Sequence, residues 1–358
     1  MNSTNSAQTA ANYLSEGLVA RADALASVRE YVDFSAIGHG TRVIDVKLAS
    51  GLSFEVLPDS GLDIGALWYR GSPMSWRSPL ISASDPRPGS DSFLSRFQGG
   101  MMVTCGFENI GPATDRYEMH GSHHRSRAAD VGWTRDVVDG RLVVAVSGTI
   151  GSMDLFGRRI AVVRRIIAGT DQPSLEVTDT IHNEGYEPHP IAVLYHVNFG
   201  APFIEPGTVI ELPAGGTVAR EECIRVPNPQ LMPTPTTEMV EAVFEHRSPK
   251  SIDGWATALI RSPSTGTQAR VEWQTHSLPR VYQWVWPTRR GWALGIEPAN
   301  APLFGAERET SFAGAPLLAA GDSVTTGLRL EFIPPRYDEV GHDQSDARRA
   351  RRSYGPRG

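Results

Sequence analysis

The sequence predicts an all-β fold, a large antiparallel β-sandwich, and three observations carry that prediction. Gly and Pro are abundant, at 35 and 26 of 358 residues, and they cut the apolar stretches into short runs. Such punctuation favours strands and turns over long helices. Within the runs apolar residues recur at every second position, which sets one face on a core and the other towards water. No strand–helix–strand alternation accompanies them, which disfavours doubly wound and TIM-type architectures.

Taken in order, residues 1–38 read as an N-terminal extension. A peripheral helix is expected within 10–29, where Leu14, Leu18, Ala22 and Leu25 recur near helical spacing. The β domain is expected over 39–335. Residues 42–48 and 52–57 both alternate and are separated by Gly51, the pattern of a hairpin. The same alternation returns at 141–150, 158–167, 174–182, 208–212, 256–261, 269–275, 292–296 and 323–332. The total is roughly a dozen strands or more. Two Pro-rich stretches, 82–91 and 227–237, read as long loops, which often border binding sites. After Pro335 the chain turns polar and basic, with Arg348, Arg349, Arg351 and Arg352, and residues 336–358 read as a disordered tail.

The formal net charge is −6, and no basic bias lies within the β region, so no nucleic-acid partner is expected. The two cysteines, Cys105 and Cys223, form no CxxC pair, which excludes a cysteine-rich zinc site and argues against a disulfide framework. Cys105 reads as a small buried hydrophobe. The N-terminus is polar, without the basic and apolar regions of a signal peptide. No run approaches the ~18 apolar residues of a membrane span. The expected setting is the cytoplasm, with no membrane partner, and an exposed sheet face is compatible with a homodimer.

No GxGxxG, Walker A, GxSxG or HExxH motif occurs, which argues against the usual nucleotide, α/β-hydrolase and zincin sites. What stands out is polar residues set in apolar, strand-like runs. His196 lies within 191–200, and Glu297 follows Leu294-Gly295-Ile296 and precedes Pro298. His120 precedes Gly121, close to His123 and His124. A side chain near a strand end can leave the core and face a cleft. A buried carboxylate without partners is costly, so Glu297 needs a donor or an open pocket. The alternatives are structural: a salt bridge from Glu297 to Arg289 or Arg290, and a core histidine at 196 bonded to a backbone carbonyl.

The order of these segments resembles the galactose-mutarotase-like superfamily, the aldose 1-epimerases, and most of all a DUF4432-like branch of it, a domain of unknown function. The resemblance rests on Gly61-Leu62-Asp63-Ile64, the glycine-rich stretch 99–106, His120-Gly121, residues 194–202 and Gly295-Ile296-Glu297-Pro298. It implies the supersandwich fold of that superfamily and a small-molecule carbohydrate as ligand. It also implies roles: Glu297 as base, His196 as acid, and His120 as a sugar-binding residue. The chemistry suits those types, since anomer exchange takes a proton from O1 and gives one to O5, and needs neither metal nor organic cofactor.

One departure stands out. The family's sugar-holding arginine has no counterpart in Val103-Thr104-Cys105-Gly106, leaving Arg96, Arg125 and Arg127 as nearby substitutes. Asn198 and Gln283 are expected to bond sugar hydroxyls. Trp286 is expected to stack on the ring, ahead of Trp284 and Trp292. The histidines also invite a metal reading. In a strand His120 and His124 would share a face opposite His123, and His196 could join them. Three functions follow: an aldose 1-epimerase-like isomerase; a lyase, hydrolase or other isomerase of an oxidised or acidic sugar, metal-assisted in one version; and a non-catalytic carbohydrate-binding protein.

Overall fold

The computed structural model describes residues 10–34, 40–80, 93–115 and 117–335. The expected loop at 82–91 and the tail at 336–358 lie outside them. Among the described residues two large antiparallel sheets face each other. Across the larger, of eleven strands, the order is Ala26–Asp33, Thr41–Leu48, Leu52–Leu57, Asp63–Tyr69, Met102–Phe107, Ala192–Gly200, Ala293–Ala299, Arg280–Trp286, Ala242–Arg247 and Gly216–Ala219, with Ser72–Pro73 paired to Asp63–Tyr69. Nine strands form the other sheet, centred on Ser323–Ile333, Ser174–Asn183, Arg159–Gly169 and Arg141–Met153. Among the described residues no helix is long and apolar enough to cross a membrane.

The alternation expected from the sequence is what builds the sandwich. In Leu52–Leu57 the residues Leu52, Phe54 and Val56 are buried, and in Ser174–Asn183 so are Leu175, Val177 and Ile181. They meet in one continuous core between the sheets. The N-terminal helix is shorter than expected. It ends at Ser15, Gly17 follows with φ 70, and Ala26–Asp33 becomes an edge strand paired with Thr41–Leu48. A glycine in the left-handed region stops a helix readily. Val28, Tyr31 and Val32 then favour the extended form. The sandwich therefore begins before residue 39.

A buried charge network ties the sheets together behind the site. Arg164, fully buried on the smaller sheet, donates to Asp179 at 2.6 and 2.8 Å, to Asp63 at 2.6 Å and to Thr104 Oγ1 at 2.8 Å. Asp63 and Thr104 belong to the larger sheet. The Tyr195 hydroxyl donates to Asp179 at 2.7 Å and also pairs with Thr326. Burial lifts the Asp63 carboxyl to about 6, still ionised at neutral pH, and the two carboxylates hold Arg164 charged. An isolated buried charge is costly, so each member depends on the others. The network clamps Tyr195, the neighbour of His196 in sequence.

Candidate active site

The strand Ala192–Gly200 is buried along its whole length, with its two faces in different surroundings. Val193, Tyr195, Val197 and Phe199 point into the core between the sheets, while Ala192 and Leu194 join a second apolar cluster on the outer face. His196 and Asn198 share the parity of that outer face. The neighbouring strand Ala293–Ala299 pairs Val197 with Ile296 and Asn198 with Gly295. That register brings Glu297 directly opposite His196, on the same face. Nε2 of His196 lies 3.2 Å from Oε1 of Glu297. Gly295 makes this possible, since a Cβ there would come within 2.8 Å of Glu297 Oε1 and 3.0 Å of His196 Cε1.

His120 approaches from a loop with φ 61, a left-handed conformation uncommon outside glycine. Its Nδ1 lies 2.6 Å from the Ile110 carbonyl. That nitrogen must donate, so Nε2 is left as the acceptor of the neutral ring. The His120 and His196 rings stand 6.3 Å apart, nearly perpendicular. Phe97, at 5.1 Å, and Trp284, at 5.4 Å, pack around His196.

Burial dominates the electrostatics. It raises the Glu297 carboxyl to about 8, with Glu241 adding to the rise and Arg220 opposing it. It lowers the His196 imidazole to about 3, helped by His120 and opposed by Asn198, and the His120 imidazole to about 4. At neutral pH the Glu297–His196 pair therefore carries one proton, on Glu297, and a carboxyl shifted this far in a cleft marks a functional-site candidate.

These groups line a cavity of about 170 Å³, walled also by Phe93, Phe97, Arg220, Glu241 and Trp284. Arg220 Nη2 lies 2.7 Å from Glu241 Oε1, and the Trp284 indole donates to Glu241 Oε2 at 2.9 Å. Arg220 and Glu241 are not among the residues singled out from the sequence, and the pairing of Gly216–Ala219 with Ala242–Arg247 brings them here. Phe93 and Phe97 both precede the glycine-rich stretch, and the short helix Phe93–Arg96 brings them to the cavity.

Several expected residues lie elsewhere. Arg127 is exposed and faces Asp59 at 3.9 Å, so it is not a cavity residue. Arg96 turns to Glu118, at 3.8 Å, and Arg125 pairs with the same carboxylate at 3.2 Å. Gln283 faces inward, bonded to His246 at 2.9 Å and to the Pro229 carbonyl at 2.8 Å, because strand parity puts it opposite Trp284. Asn198 backs His196, donating to its carbonyl at 2.8 Å, and does not line the cavity. Trp292 donates to the Ile204 carbonyl and packs on the core. Trp286 lines an adjoining hollow, and Trp284 lines both.

His123 and His124 lie in a single 3-10 turn rather than a strand. His123 packs on Phe107 and His124 stands edge-on to Phe93 at 5.1 Å. Among the described residues, no three His, Cys, Asp or Glu side chains converge as a metal ligand set. Glu297 pairs with His196 and not with Arg289 or Arg290.

Comparison with known proteins agrees with this architecture. A provisionally named aldose 1-epimerase from Klebsiella pneumoniae superposes with a TM-score of 0.76 at 20% identity, over 86% of this chain and 83% of that one. A galactose mutarotase-like protein from Clostridium acetobutylicum gives 0.56 at 15%, over 86% and 98%. Another from Lactobacillus casei gives 0.55 at 15%, over 81% and 100%. At these identities the likeness is one of fold: the chain is a galactose mutarotase-like β-sandwich. No curated protein sequence matches it. The family profile of DUF4432, a domain of unknown function, matches residues 38–332, and the chain belongs to that family.

Proposed function

We propose that the protein is an aldose 1-epimerase-type isomerase acting on a neutral sugar with a free anomeric hydroxyl. The observation that carries this reading is the buried Glu297–His196 pair, 3.2 Å apart at a cavity of the scale of one sugar ring. At rest the pair's proton lies on Glu297; once it passes to His196, the freed Glu297 carboxylate takes the proton from O1 as His196 gives its proton to O5. The electrons of the O1–H bond form the C1=O1 double bond, and those of C1–O5 leave with O5. The chain aldehyde turns about C1–C2 and closes on its other face by the reverse transfers. The pair ends each cycle with the one proton it began with. The O1 and O5 atoms share one carbon, so side-by-side acid and base reach both.

His120, neutral and oriented by Ile110, offers Nε2 to a sugar hydroxyl. Arg220 takes the place of the family's arginine. Its pairing with Glu241 favours a neutral sugar over an acidic one, because the charge is already answered.

The test is anomeric exchange followed by NMR over a panel of aldoses. Glu297→Gln keeps the shape and removes the base, and turnover is expected to drop by about 10²- to 10⁴-fold. Folded wild-type protein that accelerates exchange for none of them would refute the proposal.

A further inference from the structure

The cavity does not end at Trp284. On the far side of that ring lies a second hollow of about 340 Å³, which shares Leu94, Phe97, Glu241 and Trp284 with the first. Its remaining walls are mostly apolar, with Trp76, Trp286, Pro79, Leu80 and Met239 among them. Trp284 and Trp286 stand two positions apart on one strand, so they share a face. Their rings are 5.9 Å apart and inclined by 33°, forming one shallow platform.

The platform is rigid. Trp76 stands edge-on to both rings, at 5.5 and 5.9 Å, and its own indole is bonded to the Gly291 carbonyl at 2.7 Å. Gly291 presses on Trp286, where a Cβ would fall 2.7 Å from the ring. The Trp284 indole is held by Glu241. The outer rim is open: Leu94 is 66% and Met239 is 78% exposed.

We infer that this hollow is a second sugar subsite, so that the preferred substrate is a reducing disaccharide or longer oligosaccharide. The inference rests on the mutarotase reading of the first cavity and adds its substrate class. The anomeric carbon must sit at His196 and Glu297 with O1 free. The second ring is therefore joined through another carbon of the first, on the Trp284 side. A pyranose presents an apolar face of C–H groups and an equator of hydroxyls. The fixed indole platform matches the face, with little side-chain freedom lost on binding. Glu241, at the junction, accepts from hydroxyls beside the linkage.

The experiment compares glucose with maltose, cellobiose, lactose and melibiose, all of which carry a reducing glucose. Binding is read from tryptophan fluorescence and turnover from NMR exchange. At least one disaccharide is expected to bind about tenfold more tightly than glucose. Trp286→Ala is expected to bring that ratio close to one, and Trp286→Phe to retain most of it. Met239→Asp, on the exposed rim, lowers the ratio without touching the sheet. Equal affinity for glucose and every disaccharide, or a preference that survives both Trp286→Ala and Met239→Asp, overturns the subsite. Absence of binding by all four disaccharides overturns it as well. A Trp286-dependent preference without any acceleration of exchange supports the subsite and defeats the mutarotase reading alone.

Discussion

Gly295→Ala isolates the proposed catalytic pair from everything else in the fold. The backbone at Gly295 is extended and outside the left-handed region, so alanine adds a methyl group and no torsional strain. That methyl would meet Glu297 Oε1 at 2.8 Å and His196 Cε1 at 3.0 Å, where ordinary contact begins at 3.4 Å, so the carboxylate must retreat by about 0.6 Å and the ring by about 0.4 Å. Both side chains are buried, and the Trp284 Cβ at 3.2 Å blocks the other side. Misplacement of a reacting group by 1 Å costs about 10²-fold, so 0.6 Å corresponds to roughly 10- to 20-fold in kcat, near 1.5 kcal/mol of barrier. The assay is anomeric exchange by NMR on the best substrate, alongside thermal unfolding. Gly216→Ala is the control, since a Cβ there meets nothing within 4 Å. Unchanged kcat in a stable Gly295→Ala protein would refute the reasoning, because the pair would then tolerate the displacement that catalysis forbids.

Other outcomes follow from the same geometry. The singly protonated pair dominates between about 3 and about 8, so kcat/KM is expected to hold across neutral pH and fall as pH rises through about 8; activity that climbs through that range would contradict it. The Glu297 shift also bears on stability. The folded pKa is raised above the usual 4.5, so its contribution is full below 4.5 and is lost as pH rises through about 8. Glu297→Gln should flatten that part of the denaturation profile. Arg164→Leu leaves Asp63 and Asp179 buried without their cation, and a loss of about 3–5 kcal/mol is expected in guanidinium unfolding. Arg220→Ala removes a charged donor from the cavity wall, raising KM by about 5- to 10-fold with kcat little altered; a kcat loss as large as that of Glu297→Gln would place Arg220 in the chemistry instead.

The sequence by itself determined the architecture, because alternation is local and strands such as Leu52–Leu57 and Ser174–Asn183 carry their own record of which face is buried. The hairpin at 42–57 and the strands near 141, 174 and 323 could be read directly for that reason. It also marked His196, Glu297 and His120, since polar groups in apolar runs conflict with their surroundings unless a site explains them. The strand Arg280–Trp286 is not among the alternating runs read from the sequence, so the parity that turns Gln283 away from Trp284 emerges only in the fold.

What only the tertiary structure decided is which strands are neighbours and in what register. That choice set Glu297 opposite His196. It also brought Arg220 and Glu241 to the cavity from distant stretches, and left Arg127 at the surface. Such pairings are settled by the packing of whole sheets, and a single chain of residues carries no local mark of the strand that will lie beside it.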